Sequence, residues 1–346
     1  MSYQSKNSVN EYDDTLTFHL PRVRNGDRKH KKQEAVRHNT KQRSFTPEEQ
    51  KLSQEALEQS GYNFTYQASQ HESQWLLESL NEIYDQKWFE DILMMVKGGK
   101  EASVYLCTAP ANMQQHLLAA KVYRPRRFRN LKKDHIYREG RDQLDATGKI
   151  ILDDRAHHAM QKHTRYGLSL LHSSWVGHEF RTMSLLADAG VDMPRPYISS
   201  DNAILMDYIG DEDCAAPTLN SISLSTTEAQ VVFERVIHNV QLMLQYNRVH
   251  ADLSAYNILY WDGEIRLIDF PQAINPEENQ NAYQIFQRDL LRVCEYFRAS
   301  GVSVDAGKLA RQLWMERGRR ITPEVDPAYL DADKEEDRQA WVKQRE

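Results

Sequence analysis

The segment from His250 to Phe270 restricts this chain more than any other. In it Asp262-Gly263 separates two apolar runs, Ile258 to Trp261 and Glu264 to Ile268. An Asp-Gly pair between such runs specifies a two-residue hairpin turn, because both central residues must adopt positive φ and these two tolerate it. Counting outward from the turn sets Trp261 opposite Glu264, Ile258 opposite Leu267 and Asn257 opposite Ile268. Asn257 and Asp269 therefore lie within one residue of cross-strand register at the open end, where their side chains can converge. Asp252 stands five residues before Asn257, in a loop that can curl over the same end.

The hairpin thus delivers an amide oxygen and two carboxylates to one place. Magnesium takes hard oxygen ligands of this kind and completes its shell with water and substrate phosphates. Phosphoryl transfer requires that metal together with a carboxylate that orients the nucleophile or accepts its proton. A plain surface hairpin with polar ends would account for any one of these residues. The ordered spacing D-x4-N followed by Asp269 is what points to chemistry. His250 by itself is as well explained by a structural role.

Charge and cysteine content exclude several classes. The 346 residues carry 44 Lys+Arg against 50 Asp+Glu, a formal net charge of -6, with 40% hydrophobic residues. No run approaches the roughly 18 apolar residues that span a bilayer, and the first residues lack the apolar core of a secretory signal. The three cysteines, Cys107, Cys214 and Cys294, are widely spaced, which suits neither a disulfide framework nor a zinc site. A reducing cytoplasm is the expected compartment. Residues 22–43 hold nine lysines and arginines and almost no apolar residue, so they read as a disordered basic arm. Residues 124–141 hold eight more. Such runs are most often solvated, but they can also neutralise phosphates of a nucleic acid.

Periodicity supplies the order of elements. Thr46-Pro47-Glu48-Glu49 reads as a capped helix start. Trp75, Leu76, Leu80, Ile83 and Tyr84 recur at helical spacing, predicting a helix over the Glu72 to Phe89 region. The period then changes. Ile92 to Val96, Ala102 to Cys107 and Leu117 to Tyr123 read as antiparallel strands, and Ile198 to Ile209 as a hairpin turning at Asp201-Asn202. A helix is expected from Ser174 to Gly190, and another after the Ser225/Glu228 capping box, with Val232, Val236, Val240 and Met243 as its stripe. Strands first and helices later indicate an α+β fold with two lobes.

Further residues carry a resemblance to a known family. HADLSAYNIL, from His250 to Leu259, is similar to the catalytic loop of the protein-kinase-like superfamily, and more closely that of the RIO family of atypical kinases. Leu267-Ile-Asp269-Phe-Pro-Gln-Ala273 resembles the metal-binding segment, with the usual D-F-G replaced. Lys97-Gly-Gly-Lys100-Glu-Ala-Ser103-Val-Tyr105 looks like the RIO phosphate-binding loop, and Ala119-Ala-Lys121-Val-Tyr123 like the strand bearing the ATP-binding lysine. Trp175-Val-Gly-His-Glu179-Phe180 resembles the helix whose glutamate pairs with that lysine, Leu205 to Gly210 the hinge, and Phe286-Gln-Arg288-Asp289-Leu290 the F-x-R-D element. These matches run in family order over roughly residues 92–300.

The resemblance implies a bilobal kinase fold, truncated after the metal segment as in RIO proteins, with an antiparallel sheet plus one helix in the N-lobe and a mainly helical C-lobe. It places the kinase domain at 71–300, with the N-lobe at about 90–208 and the C-lobe at about 209–300. A basic extension at 1–70 precedes it, and a helix and acidic tail at 301–346 follow. ATP with magnesium, or manganese in its place, is the implied cofactor. Lys121 would offset phosphate charge, Glu179 would fix its direction, and Lys100 and Ser103 would contact phosphates. Met206 and Ile209 would flank adenine. Asn257 and Asp269 would hold the metal, Asp252 would be the base, and Asp269 is also a candidate phosphoryl acceptor.

Ala251 stands where the family usually has glycine, and residues up to about 172 look like a mobile insertion between the lysine strand and the glutamate helix. The implied activity is a serine/threonine protein kinase. The alternatives are an ATPase switch in ribosome or ribonucleoprotein assembly, docking through 22–43 and 124–141, and a small-molecule phosphotransferase.

Overall fold

The structure is a computed structural model that describes residues 64–99, 101–124, 143–145 and 148–321, together with Lys334, Glu335, Arg338, Gln339 and Val342. The expected helix at Thr46, the arm at 22–43, nearly all of 124–141, Lys100 and most of the acidic tail lie outside the described residues.

The chain opens with α1 (Gln70–Asp85), followed by β1 (Asp91–Gly98), β2 (Ala102–Thr108) and β3 (Leu117–Tyr123). Next come α2 (Asp154–Gln161), α3 (Arg165–Asp188), β4 (Pro196–Ser199) and β5 (Ala203–Asp207). The five strands form one antiparallel sheet in the order β1-β2-β3-β5-β4. Its two faces follow from the period of two along β3. Leu118, Ala120 and Val122 pack with Leu76, Leu80 and Ile83 of α1, while Ala119 and Tyr123 join a second core with Trp175, Val176 and Met183 of α3. Helices thus cover both faces, the ones expected over the Glu72 to Phe89 region and from Ser174. Fully burying each leucine or isoleucine of α1 contributes about 1.5–3 kcal/mol, which fixes this helix to the sheet.

The expected helix from Ser174 begins at Arg165, capped by Thr164, whose Oγ1 accepts from the Gly167 N–H. Ser174 lies inside it and accepts the Leu144 N–H at 2.9 Å. Gly177 admits the chain at this point, since a Cβ there would sit 2.3 Å from the Asp145 carbonyl oxygen. The stretch before residue 172, expected as a mobile insertion, therefore contains α2 and the first turns of α3. Gly167, Ser169, Ser173 and Ser174 hid this helical stretch from the pattern.

The remainder is helical apart from one ribbon: α4 (Thr226–Gln245), β6 (Ile258–Trp261), β7 (Glu264–Leu267), α5 (Ala282–Ala299) and α6 (Ala306–Glu316). The Ser225/Glu228 capping box is present, with Val232, Val236, Val240 and Met243 buried. Ala306, Ala310, Leu313 and Trp314 of α6 enter the same core. No described helix is long and apolar enough to cross a membrane.

Candidate active site

The ribbon forms in the register counted from the sequence, Ile258 opposite Leu267 and Trp261 opposite Glu264. Asp262 and Gly263 both take positive φ, 50° and 81°, and the Ile268 N–H reaches the Asn257 carbonyl at 3.0 Å. Asp269 follows at φ 73° and Ala251 precedes at φ 67°. Left-handed backbone at two non-glycine positions beside one cleft is stored strain of the kind held at functional sites. It also accounts for the glycine expected at 251.

The Lys121 Nζ lies 2.7 Å from Glu179 Oε1 and 2.7 Å from Asp269 Oδ1. Glu179 has no solvent exposure, yet its oxygens are satisfied. Oε1 accepts also from the Phe270 N–H at 3.3 Å, and Oε2 accepts from the Tyr123 hydroxyl at 2.5 Å. Tyr123 is itself held edge-to-face on Trp175, with ring centroids 5.0 Å apart. Burial pushes the Lys121 ammonium down, but Asp269 and Glu179 outweigh it and hold the proton affinity above that of a free lysine. Burial likewise pushes the Asp269 carboxyl up. Lys121 chiefly, then His250 and Lys97, pull it down, and the net direction is down. The Asp269 side chain is 42% exposed, so it is walled by protein yet open to the cleft.

Asp252 is fixed from two sides. Asn257 Nδ2 donates to the Asp252 carbonyl at 2.9 Å and to its Oδ2 at 3.2 Å, while Arg292 NH1 donates to Oδ1 at 3.0 Å. Arg288 of the same helix donates to the Ala251 carbonyl at 2.5 Å, and the Leu253 N–H bonds to buried Asp289. The His250 ring contacts the Ile268 carbonyl at 3.1 Å and the Asp252 N–H at 3.3 Å, a bridging structural role. Sequence reasoning noted Arg288 and Asp289 but missed Arg292. The i, i+4 spacing of Arg288 and Arg292, which puts both guanidinia on one face of α5, was the available signal.

A cleft of about 600 Å³ between the sheet and the helices collects these groups. Lys121, Glu179, Met206, Ile209, Asp252, Asn257 and Asp269 all line it. The hinge is tied to the chain beyond it, for the Ile209 carbonyl accepts from the Ala216 N–H at 2.9 Å. Ser103 is placed differently from these residues. It pairs with Val122, on the face of β2 opposite to Ala102 and Val104, so its side chain is directed away from the cleft. It is buried, with Arg124 NH2 at 3.4 Å from its hydroxyl.

Among the described residues no three His, Cys, Asp or Glu side chains group to hold a metal. The donors that the cleft does offer suit an ion bound jointly with phosphates. Asn257 spends its Nδ2 hydrogens on Asp252, so its amide oxygen is the atom that would meet such an ion. Asp269 gives Oδ1 to Lys121, leaving Oδ2.

A five-stranded antiparallel sheet, a lysine–glutamate pair joining it to a flanking helix, and a hairpin that brings Asp252, Asn257 and Asp269 to the same cleft define a protein-kinase-like fold. The family model described as RIO domain matches residues 104–309, and this chain belongs to that family. Similar proteins include serine/threonine-protein kinase rio1 of Dictyostelium discoideum, 28% identical over 62% of this chain and 34% of that protein. Serine/threonine-protein kinase RIO1 of Homo sapiens is 31% identical over 38% of this chain and 23% of its own length. RIO-type serine/threonine-protein kinase Rio1 of Methanocaldococcus jannaschii is 24% identical over 73% and 82%. The matches to the Dictyostelium and human proteins thus span about a third or less of those proteins.

Proposed function

We propose that this chain is a RIO-type serine/threonine protein kinase that uses ATP, with its catalytic domain on residues 71–300 and α6 packed on the same core. The observation that carries this reading is the sharing of Lys121 between Glu179 and Asp269, at 2.7 Å each. An ammonium so held is directed into the cleft, where phosphate oxygens would replace part of its contact with Asp269. Met206 and Ile209, which line the cleft, would flank adenine. Asn257 and Asp269 would hold magnesium or manganese, which when bound neutralises charge developing on the phosphates. Asp252, oriented by Asn257 and Arg292, takes the proton of an acceptor hydroxyl. Lys100 remains assigned to the phosphates by motif alone.

A second reading, an ATPase cycle through an aspartyl-phosphate, is favoured by one arrangement. Both Asp252 oxygens are engaged, while the Asp269 carboxylate is open to the cleft. In this step an Asp269 oxygen attacks the terminal phosphorus, the bond to the bridging oxygen breaks, and ADP leaves with that electron pair. Water then cleaves the acyl phosphate to aspartate and inorganic phosphate. The cytoplasm suits the three free thiols. RNA or a ribosomal particle is the partner chemistry fitting the basic segments 22–43 and 124–141.

Turnover with γ-labelled ATP tests these readings together. Label on a protein hydroxyl, stable to hydroxylamine, is expected for the kinase, and hydroxylamine-labile label for the acyl phosphate. Asp252→Asn should abolish the first and Asp269→Asn both. No ADP from the wild type, or equal turnover by the two variants and wild type, would remove the enzymatic reading. Transfer to a small molecule alone would replace it with a phosphotransferase.

A further inference from the structure

Both outer edges of the β6–β7 ribbon are held through backbone. On the β6 side the Tyr260 N–H donates to the Pro217 carbonyl at 2.9 Å, in the chain that follows the hinge. On the β7 side the Leu267 N–H donates to the Asp192 carbonyl at 2.8 Å. Leu267 stands two positions before Asp269, and Asp192 four positions after the last residue of α3, the helix that carries Glu179. The end of α3 leaves little freedom between them. Gly190 takes φ 85°, its N–H donates to the Ala187 carbonyl at 3.1 Å, and the Val191 N–H donates to the Leu186 carbonyl at 3.0 Å. This paired closure on a left-handed glycine is a rigid helix stop, and Leu186 and Val191 are buried in one core.

Asp192 is gripped in turn from α4. Asn239 interrupts the apolar stripe of that helix between Val236 and Val240 and has no solvent exposure. A buried amide must find partners for its polar atoms, and Asn239 finds them around Asp192. Its Oδ1 accepts the Asp192 N–H at 2.7 Å, while Nδ2 donates to Asp192 Oδ2 at 2.7 Å and to the Arg235 carbonyl at 2.9 Å. Arg235 adds a fork, Nε to Oδ2 at 2.5 Å and NH2 to Oδ1 at 2.7 Å. Asp192 thus engages its N–H, its carbonyl and both carboxylate oxygens. One residue thereby references the glutamate helix, α4 and the strand leading to Asp269 to one another. Lys121 meets Glu179 and Asp269 at 2.7 Å each, so a slip of β7 against α3 would open that contact.

We propose that Asn239 and Asp192 are positioning residues that, through the Leu267 N–H, fix the hairpin of Asp269 against the helix of Glu179 during turnover. This rests on the reading of the chain as a kinase. The test combines amide exchange, followed by NMR on the full chain, with ATP turnover. Asn239→Asp sets a carboxylate against that of Asp192. Exchange at Leu267 should quicken by about tenfold or more, while Tyr260, anchored separately to Pro217, keeps its rate. The kcat should fall by about tenfold with KM for ATP changed less than about twofold. Adding Asp192→Asn restores a complementary pair with donor and acceptor exchanged, and should recover most of both losses. Arg235→Gln, at a half-exposed fork, should move both readings in the same direction and decides the matter if Asn239→Asp does not fold. Equal quickening at Leu267 and Tyr260, an unchanged Leu267 rate, an unaltered kcat or a double variant without recovery overturns the proposal. Wild-type protein that forms no ADP overturns the kinase reading instead, and exchange at Leu267 still decides whether the pair fixes the hairpin.

Discussion

Lys121 and Asp269 lie 148 positions apart in the chain and 2.7 Å apart in space, one on the sheet and the other at the end of the hairpin. Their contact joins the strand-rich and helix-rich parts across the cleft. Glu179 completes it from α3, so three segments distant in sequence are tied through one ammonium group.

The coupling has a pH signature. The folded proton affinity of Lys121 is raised, so its stabilisation is complete below about pH 10 and is lost as pH rises through the folded value. Asp269 is lowered on balance, so its stabilisation is complete above about pH 4 and is lost as pH falls through the folded value. Lys121→Met should therefore raise the Asp269 pKa, measured by carbon-13 titration of its carboxyl. An unchanged value would show that Lys121 does not hold it down.

Arg292 should act on turnover more than on folding. Its pair with Asp252 is about one-third exposed on both sides, and such a pair contributes at most about 1 kcal/mol. Without it the carboxylate loses one of its two anchors. Arg292→Ala is expected to lower kcat by about 10- to 100-fold with KM for ATP unchanged, and Arg292→Lys to recover part. A shift confined to KM, or an unaltered kcat, would contradict this role.

Ala251 carries a backbone cost. At φ 67° an L-residue is disfavoured by about 1–2 kcal/mol, while glycine adds about 0.5–1 kcal/mol of unfolded-state entropy. Urea unfolding of Ala251→Gly should show stability unchanged or raised by up to about 1 kcal/mol. A loss beyond about 0.5 kcal/mol would mean that the methyl group packs for more than its strain costs.

Some of this was legible because it is local. Asp262-Gly263 demands two positive φ values in sequence, and the alternating side chains then set the register that places Asn257 beside Ile268. The capping box at Ser225 and the valine stripe after it are likewise short-range. The start of α3 was not legible, because Ser174 has the composition of a cap. Its hydroxyl receives instead the Leu144 N–H, a partner that only packing supplies. The face of β2 that Ser103 takes was not legible for a related reason, since a loop motif does not reveal it.

By itself, then, the sequence determined the alternation of strands and helices, the hairpin and the order of the polar residues, since each depends on neighbours a few positions away. Tertiary structure decided that Lys121 is shared, that Arg292 holds Asp252, and that Asp192 ties the hairpin to the end of α3. Those depend on the alignment of segments whose approach is set by burial of the two cores, and no periodicity within one segment encodes it.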